Sequence, residues 1–231
     1  MNYLTFDIDW APDFAVEHCV DICKDNNTSA IFFATHESKI IESLKNDNLF
    51  EIGIHPNFNP SSSHGKSIEE VLDYFKAFLP NAKCMRSHSL LQSTLIFEKI
   101  SSYNPKVKYD FSILMYLTKN LEQSKLYLNE NKFIERFPFF FEDDIAMRDP
   151  TWKWKINLEK YKGIKIFNFH PSLIYLNSSN LESYNTLKSK INLRNKNEFI
   201  EIKEQNYGNE NFLIDLIKEN SFNHFKSLFE K

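Results

Sequence analysis

Glycine is scarce in this chain, with four in 231 residues, and none stands in a G-x-G-x-x-G or G-x-x-x-x-G-K setting. That argues against dinucleotide-binding and P-loop folds, whose phosphate turns depend on it. Cysteine is scarce too. Cys19, Cys23 and Cys84 are an odd number at no zinc-finger spacing, so they suggest neither a disulfide framework nor a cysteine-rich metal site. They read as small core residues in a reducing compartment. No run approaches the ~18 apolar residues of a membrane span, and the N-terminus enters a strand without a basic and then apolar leader. These absences point to a cytoplasmic protein. A formal charge of −3 offers no electrostatic footprint for nucleic acid.

What the chain does have is aromatic mass and alternation. Twenty-two Phe and ten Tyr within an apolar fraction of 42% are enough for a full core. Short apolar-rich runs at Tyr3–Trp10, Ser29–Thr35, Phe50–His55, Lys83–His88 and Lys108–Met115 read as strands. Helical patterns fall between them, near Pro12–Asp25, Lys39–Asn46, Ser67–Leu79 and Leu91–Tyr103, with Ser67 and Glu70 spaced as a capping box. Such alternation predicts an α/β fold of parallel strands covered by helices. Further strands are expected at Leu126–Leu128, within Phe133–Phe141 and at Ile164–His170, and polar helices from about Ser178 onward. With no linker or repeat, one domain spanning 1–231 is the simplest organisation.

The chemistry gathers at strand ends, where α/β folds keep their sites. Asp7 and Asp9 close the first strand two residues apart, so in extended chain they would project the same way. Two carboxylates held together are sustained where a cation or a shared proton offsets their repulsion. His55 and His170 each end a strand one residue before a proline, and His64 follows in a Ser-rich loop. A carboxylate with imidazoles suits zinc or a similar divalent ion. Arg86 ends the fourth strand in Arg-Ser-His-Ser, where it could pair with a carboxylate such as Asp7. His88 is a further candidate ligand or substrate contact, and Glu142-Asp143-Asp144 could orient a catalytic histidine.

In this order, Thr5–Asp9, Phe50–Pro56, Met85–Ser89 and Phe167–Pro171 resemble the polysaccharide deacetylases. These are the NodB-homology enzymes of carbohydrate esterase family 4, and the similarity is greatest to their WbmS-like branch. The resemblance spans about Tyr3 to Asn177. It implies a distorted (β/α)7-type barrel, here followed by extra C-terminal helices. It also implies a metal-dependent hydrolase that removes an N-acetyl or O-acetyl group from a sugar, nucleotide-sugar or lipid-linked glycan precursor of surface polysaccharide. Carried over residue by residue, Asp7 is the catalytic base, Asp9 and His55 are metal ligands, and His64 is the third ligand, with His88 or an acid as the alternative. Arg86 tethers the base and His170 is the general acid. Trp10, Asn57, His88 and Asp143 are candidate substrate contacts. The implied metal is Zn2+, with Co2+, Ni2+ or Fe2+ as substitutes.

The chain departs from the family pattern in three places. Ile8 separates the two acids, His55 and His64 stand nine apart rather than four, and Arg-Ser-His-Ser replaces Arg-x-Pro-Tyr. Two other readings stay open. The Asp-x-Asp start also fits Mg2+-dependent haloacid dehalogenase-type phosphatases, although these would leave His55 and His170 without a task. A deacetylase-like barrel that binds glycan without turnover is the other.

Overall fold

The computed structural model describes residues 1–129, 132–189 and 195–229. Its first half follows the expected alternation: β1 (Asn2–Asp7), α1 (Asp13–Asp25), β2 (Ala30–Ala34), α2 (Lys39–Leu44), β3 (Phe50–Ile54), α3 (Ile68–Phe78), β4 (Cys84–Met85), α4 (Thr94–Tyr103) and β5 (Tyr109–Asp110). Ser38, Ser67 and Ser93 start their helices by accepting a backbone N–H of the first turn, a donor the helix itself leaves open. Glu70 reaches back to the Lys66 N–H at 2.6 Å, one residue before the capping-box partner that its spacing suggests. β4 and β5 are shorter than the apolar runs predict. Beyond them the backbone leaves the ladder for side chains, as where Ser87 N–H donates to Ser112 Oγ at 2.8 Å.

The second half adds β6 (Ser124–Tyr127), β7 (Phe133–Arg136), β8 (Phe141–Glu142), α5 (Asp143–Arg148), β9 (Lys165–Phe169) and α6 (Pro171–Tyr175). It ends with α7 (Leu181–Ser189), α8 (Lys196–Ile202), α9 (Asn209–Glu219) and α10 (Lys226–Phe229). Of the predicted C-terminal helical region, 190–194 and 230–231 lie outside the described residues.

Among the described residues the strand order is β6-β7-β5-β4-β3-β2-β1-β9-β8. All neighbours are parallel except β6 and β7. β7 and β8 are two ends of one extended segment, which pairs with β5 at its start and β9 at its end. Between them, Phe137 and Phe139 donate to Asp110 and Ile113, while Phe140 donates to Ile166. The sheet therefore curls back on itself. Counting segment 133–142 once and leaving out antiparallel β6 gives seven strand positions, a distorted barrel.

Period-two alternation divides the core. Tyr3, Ile31, Phe33, Cys84, Phe111, Phe137, Phe139 and Ile166 form an inner cluster. Leu4, Phe6, Phe32, Ile54, Phe167 and Phe169 face outward and join the helices, including Phe212, Leu213 and Leu216 of α9. The C-terminal segment closes the barrel end where strands begin. Phe225 and Leu228 enter the inner cluster, Ser227 Oγ meets Tyr3 Oη at 2.9 Å, and Phe229 stacks on Tyr109 at 4.3 Å. With that end filled by apolar side chains, the inward polar residues Thr5, Asp7, Arg86 and Asn168 sit toward the opposite end, where the strands finish.

Gly53 of β3 makes room in the inner cluster. A Cβ there would lie 2.6 Å from the Phe33 ring and 2.9 Å from Cys84 Sγ. Gly53→Ala is therefore expected to overpack the interior and cost about 1–3 kcal/mol. Chemical denaturation reads this as a lower midpoint, whereas an unchanged midpoint would show that ring and thiol have room to shift.

Candidate active site

Arg86 follows β4 and turns its guanidinium into the barrel, where the residue is fully buried. Nη1 donates to Asp7 Oδ1 at 2.8 Å and Thr5 Oγ1 at 3.0 Å, and also to Asn168 Oδ1. Nε donates to the Phe111 carbonyl at 2.9 Å. The rings of Phe33 and Phe139 flank it at 4.6 and 4.3 Å, a cation–π setting that desolvation strengthens. Asp7 is thus held from two sides, since its Oδ2 accepts from Asn168 Nδ2 at 2.9 Å. The predicted Arg86–Asp7 pair is present.

Asp9 does not continue the strand as the i, i+2 reading assumed. Ladder pairing ends at Asp7, and Ala11 N–H closes a turn on the Ile8 carbonyl at 2.8 Å. Its central residues Asp9 and Trp10 have φ of 44° and 56°, the signs that a type I′ turn requires. Left-handed backbone at a tryptophan is strained. The turn sends Asp9 away from buried Asp7 and toward the histidines. Asp9 Oδ1 lies 3.0 Å from His55 Nε2 and 3.0 Å from His88 Nδ1, and those two nitrogens are 3.4 Å apart. The loops carrying them are tied by His88 N–H donating to the Pro56 carbonyl at 2.9 Å. On its other side, His55 Nδ1 faces Asp7 Oδ1 at 3.9 Å. Burial opposes the charge on Asp9, but His55 and His88 outweigh it and hold its pKa well below the ordinary carboxylate value.

His170 follows β9 and completes the ring of groups. Its Nδ1 meets Asp143 Oδ1 at 2.6 Å, and its backbone N–H donates to the other oxygen of Asp143 at 2.9 Å. Nε2 faces Asp9 Oδ2 at 3.6 Å. Burial disfavours the imidazolium, yet Asp143, Asp9 and Asp144 raise the His170 pKa well above its usual value. With Nδ1–H donated to the Asp143 carboxylate, the proton that the ring gains on charging goes to Nε2, which faces the site. Asp143, a candidate substrate contact from its sequence position, is fully buried and serves to orient this histidine, the other role its sequence position allows.

The remaining candidates are placed as follows. His64 stands apart from the Asp9–His55–His88 group: no set of three ligating atoms within 4.8 Å includes it among the described residues. Its Nδ1 accepts the Asn57 backbone N–H at 3.1 Å, which leaves the proton of the neutral ring on Nε2 and no free lone pair. Its ring stacks on Tyr74 at 4.9 Å and lies 5.4 Å from Trp10. Burial lowers its pKa to about 4. Asn57 folds its loop by accepting the Asn59 N–H at 3.0 Å, and Trp10 lies edge-on to His88 at 5.2 Å. Two residues escaped the sequence reading: Asn168 within β9, and Glu142, which was read only as part of an acidic run. Their signal was weak, a polar side chain at an inward position of an aromatic strand.

Residues 4–188 match the WbmS-like polysaccharide deacetylase family. The chain belongs to it. A crystal structure of WbmS from Bordetella bronchiseptica, a candidate polysaccharide deacetylase involved in O-antigen biosynthesis, is similar at 31% identity. It aligns over 95% of this chain and 90% of its own, with a TM-score of 0.82. A CE4 family pseudoenzyme from Bacillus anthracis aligns over 90% of this chain and 62% of its own, at 14% identity and a TM-score of 0.42. No curated protein matches. Membership agrees with the distorted barrel, and Asp9, His55 and His88 each offer a ligand atom within 4.8 Å of the others, a group that could hold a metal ion. No helix among the described residues is long and apolar enough to cross a membrane.

The buried Arg86–Asp7 pair makes a direct test. Arg86→Leu leaves a carboxylate unpaired in the interior, and is expected to destabilise the fold by about 3–5 kcal/mol in denaturant unfolding. A loss below about 1 kcal/mol would place the pair in the class of solvated ion pairs. Asp143→Asn is expected to lower the His170 pKa, read by NMR titration of the imidazole. An unmoved titration would assign the raised value to Asp9 and Asp144 instead.

Proposed function

We propose that this chain is a metal-dependent deacetylase, hydrolysing an acetamido or acetoxy group on a sugar of a surface-polysaccharide precursor. The observation that carries the reading is the convergence of three units on one barrel end. They are a ligand set (Asp9, His55, His88), a tethered base (Asp7 with Arg86), and an oriented acid (His170 with Asp143). Substrate class and pathway follow from the family and from the O-antigen role given for the similar Bordetella protein. A cytoplasmic site of action is part of the same proposal.

The donor set fits a divalent ion. Two imidazole nitrogens 3.4 Å apart, both facing one carboxylate oxygen, place lone pairs against each other unless a cation or protons intervene. Borderline nitrogen donors with a single carboxylate favour Zn2+ or a similar ion over Mg2+. Within this reading His88 takes the place expected of His64, and two departures from the family pattern become one exchange. The stretched His55–His64 spacing removes a ligand, and the histidine of Arg-Ser-His-Ser restores it. The phosphatase alternative gains no support, because it leaves His55 and His170 without a task and calls for an oxygen-ligated Mg2+ where two imidazoles converge on Asp9.

When bound, the ion supplies Lewis acidity toward the acyl oxygen and toward water. Asp7 accepts a proton from the attacking water, whose oxygen forms the new C–O bond. His170 Nε2–H then donates its proton to the leaving nitrogen or oxygen as the acyl bond breaks, giving acetate and the free sugar amine or hydroxyl. Arg86 and Asn168 hold Asp7 in place, and Asp143 holds the tautomer of His170. Positioned acid and base contribute roughly 10²–10⁴-fold each.

Elemental analysis separates the ligand sets. Purified protein is expected to carry about one zinc-like ion per chain, lost in His88→Ala and retained in His64→Ala; the reverse pattern would restore His64 as ligand. Asp7→Asn is expected to keep its metal and lose at least about 10²-fold in turnover of acetylated sugars. Activity near wild type in that variant would remove Asp7 from the role of base.

A further inference from the structure

Behind Asp7 stands a second buried carboxyl with no part in these steps. Glu142, the last residue of β8, is 8% exposed. Asn168 stands between the two acids, its Nδ2 donating to Asp7 Oδ2 at 2.9 Å and to Glu142 Oε1 at 3.3 Å. The amide cannot be turned around. Its Oδ1 accepts from Arg86 and from Thr5 Oγ1, and a guanidinium requires an acceptor there. Both hydrogens of the NH2 group must then face the carboxyls. The hydrogen bonds of Arg86 go to Phe111, Thr5, Asp7 and Asn168. One buried guanidinium thus faces two buried carboxyls and bonds to one of them; the His170 ring, with a nitrogen within 4.8 Å of both, is already paired with Asp143.

We propose that Glu142 is held as a neutral carboxylic acid and forms, with the Asn168 amide, a positioning pair that fixes Asp7 against Arg86 without a second negative charge behind it. An ionised Glu142 would be a buried charge whose hydrogen bond comes from a neutral amide, an arrangement that is costly unless another cation neutralises it. The surroundings agree. Burial pushes the Glu142 carboxyl up to about 8, helped by Asp144 on α5 and Asp7 on β1, and opposed by His170 after β9 and Arg86 after β4.

The charge state makes a prediction that does not pass through activity. A folded-state pKa above the ordinary carboxyl value of 4.5 gives stability that is fully present below about 4.5 and lost as pH rises toward about 8. Glu142→Gln keeps the shape and does not titrate. Thermal midpoints of the wild-type and Glu142→Gln proteins, compared from pH 5 to 9, are expected to diverge, with the wild type losing ground as pH rises. A constant difference across that range would overturn the proposal. Should the variant not fold, infrared titration of the wild-type protein decides instead. A protonated carboxyl band that disappears between pH 6 and 9 is expected, and its absence at pH 6 refutes a neutral Glu142.

The positioning half of the proposal rests on the deacetylase reading and is tested by Asn168→Leu. Turnover is expected to fall about 10²-fold, with KM and metal content unchanged. Wild-type turnover in this variant would show that Asn168 does not position the base. Absence of turnover in the wild type on all acetylated sugars would count against the deacetylase reading, and the stability comparison would still decide the state of Glu142.

Discussion

The buried guanidinium of Arg86 is the interaction on which the rest of this structure depends. A cation in a protein interior is costly unless it is paired and hydrogen-bonded. Here the two aromatic faces of Phe33 and Phe139 cover its plane. Its Nε and Nη1 meet oxygen atoms from β1, β9 and the chain after β5, while Nη2 has no hydrogen-bond partner among the described residues. One side chain thereby ties four parts of the barrel together at the level where the apolar interior gives way to the site. Below it lies the apolar and aromatic inner cluster, capped by Phe225 and Leu228 of the C-terminal segment, so the Arg86–Asp7 pair is shielded from water and correspondingly strong.

This shielding divides the Asp-x-Asp pair into two environments. Asp7 is buried in the polar layer, whereas the Asp9 side chain is 31% exposed at the rim. The turn from Ile8 to Ala11 enforces the split, because its left-handed residues end the strand between the two acids. One carboxylate thus belongs to the scaffold's charge balance and the other to the open face, where His55, His88 and His170 converge. The same logic holds opposite, where buried Asp143 fixes His170 by two contacts and leaves Nε2 facing the site. Both catalytic candidates of the proposed reaction are held from behind by groups that never reach the surface.

The C-terminal helices show how little a missing motif says about structural importance. No residue after Asn177 carries a recognisable signature, yet Phe225 and Leu228 complete the inner cluster and Phe212 packs against Phe141, Trp152 and Phe169. They do this by filling space. A lone apolar side chain announces nothing in a sequence until the cavity it fills is known.

Much was legible from the sequence alone. Short apolar runs located the strands, because a strand buried on both faces reads as nearly continuous apolar chain. Acids and histidines at the ends of those runs marked the site, and their order marked the family. What tertiary structure decided is which of these residues meet. His64 and His88 both stand in loops after strands, and no local rule separates them. The choice depends on a backbone N–H from Asn57 occupying one ring and a left-handed turn at Asp9 and Trp10 bringing Asp9 to the other. Asn168 and Glu142 were hidden for the same reason. An amide within an aromatic strand reads as unremarkable until the sheet curls and β1, β8 and β9 set it between two acids. Spacing along the chain fixes the direction in which a side chain leaves its strand, but closure of the barrel fixes what it faces.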